Sequence, residues 1–175
     1  MGLTNVIGRK RGSFNKRRWY YTLQFGNVEL YKFLLLVGLY PNKTKTLKEL
    51  TIPDKYFADF LRGDLDGDGF TYSYWDKRWK SSFMLYTGFT SASYEHLAWI
   101  QKKIHNLYQI AGTIKYAGKS TYQLVYAKRS SVILLKKMYY ASDVMCLSRK
   151  RFKIETALGI IREHAGMLKL VDRHA

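Results

Sequence analysis

Ten residues constrain this chain more than any others: Phe60, Leu61, Arg62, Gly63, Asp64, Leu65, Asp66, Gly67, Asp68 and Gly69 follow one another without interruption. Gly63 and Gly67 stand four apart, so a helix stacks them on one face. Without side chains they let another helix backbone come close. Phe57, Leu61 and Leu65 recur at helical spacing, with Tyr56 and Phe60 beside them. The pattern predicts a helix over 52–65. Pro53 suits its first turn, Asp54 its positive end, and Gly67 and Gly69 stop it. Asp68 then emerges at the helix end.

A calcium loop is the first template to weigh against this segment. Asp64, Asp66 and Asp68 fill its first, third and fifth positions and Gly69 its sixth, but its twelfth is Trp75, where a bidentate Glu belongs. The residues after Gly69 are also strand-like rather than helical.

Charge sharpens the argument. Thirty Lys and Arg oppose thirteen Asp and Glu, a net +17 on 175 residues of which 47% are hydrophobic. That is a foldable chain built to meet a polyanion, not a disordered tail. Five of the thirteen acids (Asp54, Asp59, Asp64, Asp66, Asp68) nevertheless fall within fifteen residues. A carboxylate cluster repels a polyanion unless something offsets it, and a divalent cation shared by carboxylate and phosphate does so. A solvated acidic helix face is the alternative. The single cysteine, Cys146, forms no internal disulfide, and the four histidines show no zinc spacing. The longest apolar run, Phe33 to Tyr40, is far below the roughly 20 residues of a spanning helix, so the expected protein is soluble and cytoplasmic, with no membrane partner.

The remaining pattern predicts a strand over 19–25 after a loop or broken strand, a helix over 28–39, and strands over 70–75 and 82–87 joined by a basic turn. A helix capped by Ser93 runs to Tyr108. Strands over 113–116 and 121–127 and helices over 131–140 and 148–163 complete the chain. From residue 52 the order is helix, two strands, helix, two strands, helices: an α+β unit with helices on one face of an antiparallel sheet. A shift of about 101 residues aligns Thr22–Phe25 with Gln123–Tyr126, Leu34 with Leu135 and Lys48 with Arg149. Residues 1–50 therefore read as the tail of one repeat and 51–175 as a whole second one.

On Leu61, Gly63, Leu65, Asp66, Gly67, Asp68 and Gly69 the chain resembles the LAGLIDADG homing endonucleases. Arg62 and Asp64 depart from the motif, standing at usually apolar or small positions. The resemblance implies an αββαββα unit with a four-stranded antiparallel sheet, its motif helix packed against a second motif helix through Gly63 and Gly67. It implies a site-specific, divalent-metal-dependent double-strand DNA endonuclease of intron or intein type, with Asp68 as catalytic metal carboxylate, the Gly67 carbonyl in the metal shell and Mg2+ as cofactor. Asp66 would support the helix end. Lys128, at the end of the last strand, is the candidate basic residue near the phosphate, or a solvated lysine.

Duplex DNA would be met by Tyr72, Tyr74, Lys77, Arg78, Lys80 and Tyr86, by Lys128 and Arg129, and by Arg149, Lys150 and Arg151 at the start of the last helix. The tyrosines equally serve packing, and the basic run equally serves as a solvated helix end. One motif behind a repeat tail leaves three arrangements: a homodimer through the Gly63 and Gly67 face, the downstream part of a larger or split enzyme carrying a second LAGLIDADG repeat, or an inactive remnant. An intron RNA maturase or a non-catalytic DNA-binding protein is the alternative function.

Overall fold

The computed structural model describes residues 4–12, 18–79 and 82–171, with side chains of the last helix described through residue 164. Lys80 lies outside the described residues. The chain divides into two compact units, residues 1–36 and 37–175.

The first unit carries a two-stranded antiparallel ribbon, β1 (Gly8–Arg11) and β2 (Trp19–Thr22), followed by α1 (Val28–Val37). The segment expected to be a loop or broken strand thus contains β1. Both strands are exposed throughout, so no core holds them. Their backbone pairing is flanked by cation-on-ring contacts: the Arg9 guanidinium lies 5.1 Å from the Trp19 ring and 5.9 Å from that of Tyr21, and Arg11 lies 5.1 Å from Trp19.

In the second unit the order is α2 (Asp54–Gly67), β3 (Phe70–Trp75), β4 (Phe83–Ser91), α3 (Tyr94–Tyr108), β5 (Thr113–Gly118), β6 (Thr121–Tyr126), α4 (Lys128–Met138) and α5 (Ser148–Val171). The expected α+β order and four-stranded antiparallel sheet are present, with strand order β3-β4-β6-β5. Alternation decides which face is covered. Phe83, Leu85, Thr87 and Phe89 of β4 are buried and meet Leu124 and Tyr126 of β6, Leu97, Ile100 and Ile104 of α3, and Leu134, Leu135 and Met138 of α4. Phe57, Leu61 and Leu65 put α2 into the same core.

Several boundaries differ from the expectation, among them β2, which ends at Thr22, and α5, which runs to Val171, and three do so for visible physical reasons. The motif helix continues through Gly67, because both glycines adopt helical geometry and the chain leaves only where the Asp68 and Gly69 amides donate to the Asp64 carbonyl, each at 3.1 Å. At Gly69 a Cβ would lie 2.6 Å from Leu65 Cα and 3.0 Å from the Gly88 carbonyl oxygen, so the helix turns into β3 only without a side chain there. β4 runs on to Ser91 because its far half pairs with β6, Phe89 facing Leu124. α4 begins at Lys128, ahead of Ser131, whose hydroxyl donates back to the Tyr126 carbonyl at 2.8 Å.

Lys119 and Ser120 both take positive φ (50° and 58°), the geometry of a two-residue hairpin turn that joins β5 to β6. Among the described residues no helix is long and apolar enough to cross a membrane.

Candidate functional site

The carboxyl end of α2 gathers the chemistry. Gly63 and Gly67 are exposed, and a Cβ built on either meets no atom within 4 Å beyond the helix's own backbone, so among the described residues of its unit this face of the helix is bare. Asp68 caps the helix and is exposed. Asp66 points elsewhere: its Oδ2 accepts the Leu147 N–H at 2.8 Å, so it caps the start of α5 rather than its own helix. Its Oδ1 is buried and has no hydrogen-bond partner among the described residues.

Asp64 is half-buried, and burial, then the charge of Asp68, pushes its carboxyl from 3.8 up to about 6, against the opposing pull of Lys150. A group whose pKa is raised on folding supplies stability below its unfolded value, and that stability is lost as pH rises through the folded value. A two-unit shift corresponds to roughly 3 kcal/mol at most. Asp64→Asn should therefore make the chain more stable than the wild type at pH 7.5 by about 1–3 kcal/mol, the gap closing near pH 4. Urea unfolding across that range in EDTA measures it, and equal stability at pH 7.5 would refute it.

Lys150 does not stand free at a helix end. Its ammonium donates to the Leu65 carbonyl and, at 2.8 Å, to the Gly69 carbonyl, placing a positive charge among Asp64, Asp66 and Asp68. Burial and neighbouring Arg149 lower its pKa. Arg151 is likewise engaged: its Nε donates to Glu155 at 2.7 Å and its Nη1 to the Ser142 carbonyl at 2.7 Å. Of Arg149, Lys150 and Arg151, Arg149 is the one left exposed.

Arg62 departs from the motif, and the structure gives it a place of its own. It does not face the bare glycine side but is buried inside the chain. Its Nε donates to the Met145 carbonyl at 2.9 Å, its Nη1 to the Met138 carbonyl at 2.7 Å and its Nη2 to Asp59 at 2.6 Å, while Tyr140 lies 5.6 Å away, ring to guanidinium. Arg62, Asp66 and Lys150 together fasten the end of α4, the connection after it and the start of α5 onto α2. The only sequence signal for Arg62 was Asp59 three residues earlier on the same helix. Partners more than 70 residues away gave none.

Lys128 is the first residue of α4 rather than the end of a strand. The register runs Phe70, Gly88, Val125 across β3, β4 and β6, and β3 and β6 run in the same direction. Asp68 precedes that row and Lys128 follows it, so strand pairing does not bring the two together. With exposed Arg129, Lys128 puts two cations at the positive end of a helix, an arrangement that costs stability unless an anion is present.

In the β3–β4 turn Arg78 folds back on Asp76, donating from Nε at 3.1 Å and from Nη2 at 2.9 Å, which holds the Asp76 carboxyl below its usual range. Lys77 remains exposed beside it. Tyr72, Tyr74 and Tyr86 all face away from the core, with Tyr72 and Tyr86 paired directly across the strands.

No protein-family model and no curated protein matches the sequence. Among solved structures, the chain is similar to the homing endonuclease I-TnaI, at 14% identity over 62% of this chain and 74% of that one, TM-score 0.47. It is similar to the homing endonuclease I-CvuI, solved with the I-CreI target and magnesium with the DNA not cleaved, at 18% identity over 64% and 69%, TM-score 0.47. It is also similar to the N-terminal LAGLIDADG domain of DUF199/WhiA, at 16% identity over 85% of this chain and 62% of that one, TM-score 0.46. Identities below a fifth concern the path of the chain alone, and TM-scores below 0.5 add nothing about chemistry. In fold, this α+β chain is similar to LAGLIDADG homing endonucleases and to the LAGLIDADG domain of WhiA.

Proposed function

We propose that the chain contributes one half of a metal-dependent, site-specific double-strand DNA endonuclease, completed when a second motif helix packs on α2. The observation that carries this reading is the end of α2, where the exposed Asp68 carboxylate adjoins a helix face on which Gly63 and Gly67 leave open space. The donor set suits a hard cation. Among the described residues Asp66 Oδ1 is buried without a partner, and Asp68 raises the pKa of Asp64 even with Lys150 close by, so this corner is short of positive charge. Among the described residues no group of three or more His, Cys, Asp or Glu side chains could hold a metal, so the remaining ligands fall to the second helix and to DNA.

Asp68 and the Gly67 carbonyl would hold Mg2+ there. The ion, when bound, activates a water and offsets charge on the scissile phosphate. Gly63 and Gly67 bring the two helix ends close enough to share the site. Lys128, Arg129 and Arg149 would take phosphates at the ends of α4 and α5. That residues 1–50 end an earlier repeat is supported by α1 and α4, whose last residues, Val37 and Met138, are 101 apart.

To test the reading, duplexes that bind the full chain are selected from a randomised library and then incubated with Mg2+ or EDTA. Salt-sensitive binding and one fixed pair of cuts in Mg2+ alone are expected. Binding without cuts, even after a second motif repeat is supplied, would favour the second reading, a non-catalytic DNA-binding protein or intron RNA maturase. Lys150 favours that alternative, because its ammonium already occupies the Leu65 and Gly69 carbonyls at the acidic corner.

A further inference from the structure

The second unit uses one small module twice. β3, β4 and α3 form a hairpin followed by a helix, and β5, β6 and α4 form another. The two join antiparallel through their second strands, with Phe89 of β4 opposite Leu124 of β6 and Thr87 opposite Tyr126. α3 packs on β4 and β6 while α4 packs on β4, so each module helps to cover the other.

β1, β2 and α1 are a third hairpin followed by a helix, and among the described residues this one is unmated. The Gly12 N–H donates to the Arg18 carbonyl. Alternation along the ladder then turns the N–H and C=O groups of Trp19 and Tyr21 away from β1, toward the open edge of β2. An isolated two-stranded ribbon is at best marginally stable in water. α1 adds apolar surface rather than a core: eight of its ten residues are apolar and none is buried. A helix that is apolar on every side calls for a cover. Where α4 exposes Lys136 and Lys137, the shift of 101 residues gives α1 Leu35 and Leu36, and Leu36 is 80% exposed.

Charge selects the cover. Between Trp19 and Val37 the charged residues are Glu29 and Lys32, which pair at 3.0 Å and cancel, on a chain of net +17. This stretch does not draw a polyanion, and it lets two copies of a basic chain meet without repulsion. An open strand edge is also self-complementary, because the same edge turned by a two-fold axis supplies the matching donors and acceptors.

We propose that β1, β2 and α1 are a self-association module: the β2 edges of two chains pair antiparallel into a sheet of order β1-β2-β2-β1, and the two α1 helices bury their apolar sides there. The contact is separate from the face of Gly63 and Gly67, and it goes beyond the nuclease reading without depending on it.

The test is sedimentation of the full chain over a range of concentrations, in about 0.5 M NaCl to screen its charge. Neither DNA nor metal is present, so failure of the nuclease reading leaves the outcome untouched. A species of twice the chain mass is expected, in which the Trp19 and Tyr21 amides exchange slowly with solvent until dilution releases them. Tyr21→Pro removes an outward N–H while sparing the bonds to β1, and Leu36→Glu charges the apolar side of α1. Each should weaken dimerisation by roughly 10-fold or more. A dimer that survives both substitutions would overturn the proposal, whether or not it separates on Gly67→Gln. A chain that stays monomeric at every concentration would overturn it too, and would leave the β2 edge to a hairpin from a different polypeptide. Fast exchange at Trp19 and Tyr21 in the wild-type dimer would do so without reference to how any variant folds.

Discussion

Asp68→Asn should abolish Mg2+-dependent cleavage, by at least about 10³-fold or roughly 4 kcal/mol of transition-state stabilisation, while salt-sensitive DNA binding survives. The asymmetry follows from its position. Asp68 is exposed at the end of α2, so an isosteric amide leaves the core untouched. What is lost is the charged oxygen that a hard cation needs. A second readout needs no activity: Asp68 is one cause of the raised Asp64 carboxyl, so the substitution should bring the Asp64 titration down from about 6. Carboxyl NMR in metal-free buffer tracks that shift. Unchanged cleavage would remove Asp68 from the site, and an unchanged Asp64 would show that the two side chains do not sense one another.

Arg62→Met should be the most damaging single change to folding, costing about 3–5 kcal/mol. Arg62 is 6% exposed and spends three donors on the Met138 and Met145 carbonyls and on Asp59. Removing the guanidinium strands two backbone acceptors and leaves a carboxylate beside an apolar side chain. Lysine cannot rescue it, because a single ammonium does not reproduce the planar fork. Thermal unfolding should show the midpoint falling by roughly 10 °C or more. A loss below about 1 kcal/mol would mean that the α4–α5 connection is held by something other than Arg62.

Repeating patterns are what the sequence made visible. The apolar periods of α2 and α3, the alternation in β3 and β4, and the glycine spacing on α2 are local, and each survives into the structure. The helix expected over 131–140 starts at Lys128 instead; Lys128 and Arg129 oppose the helix dipole, so local charge does not mark that start. The bonds that shape the acidic corner were invisible for a different reason. Lys150 reaches carbonyls 81 and 85 residues away, and Arg62 reaches carbonyls 76 and 83 away, so no spacing rule could announce them. In the sequence Lys150 read as a DNA contact and Arg62 as a departure from the motif. The fold instead spends them inside, which leaves the outer sheet face to tyrosine.

The open ground above Gly63 and Gly67 would divide two kinds of mutational survey. Scored by soluble yield, both positions should accept almost any helix-compatible residue, and alanine should be preferred to the native glycine. Scored by cleavage in a cell, the same positions should accept glycine and little else. Subtracting one tolerance profile from the other would outline the footprint of whatever docks there, without a partner ever being purified.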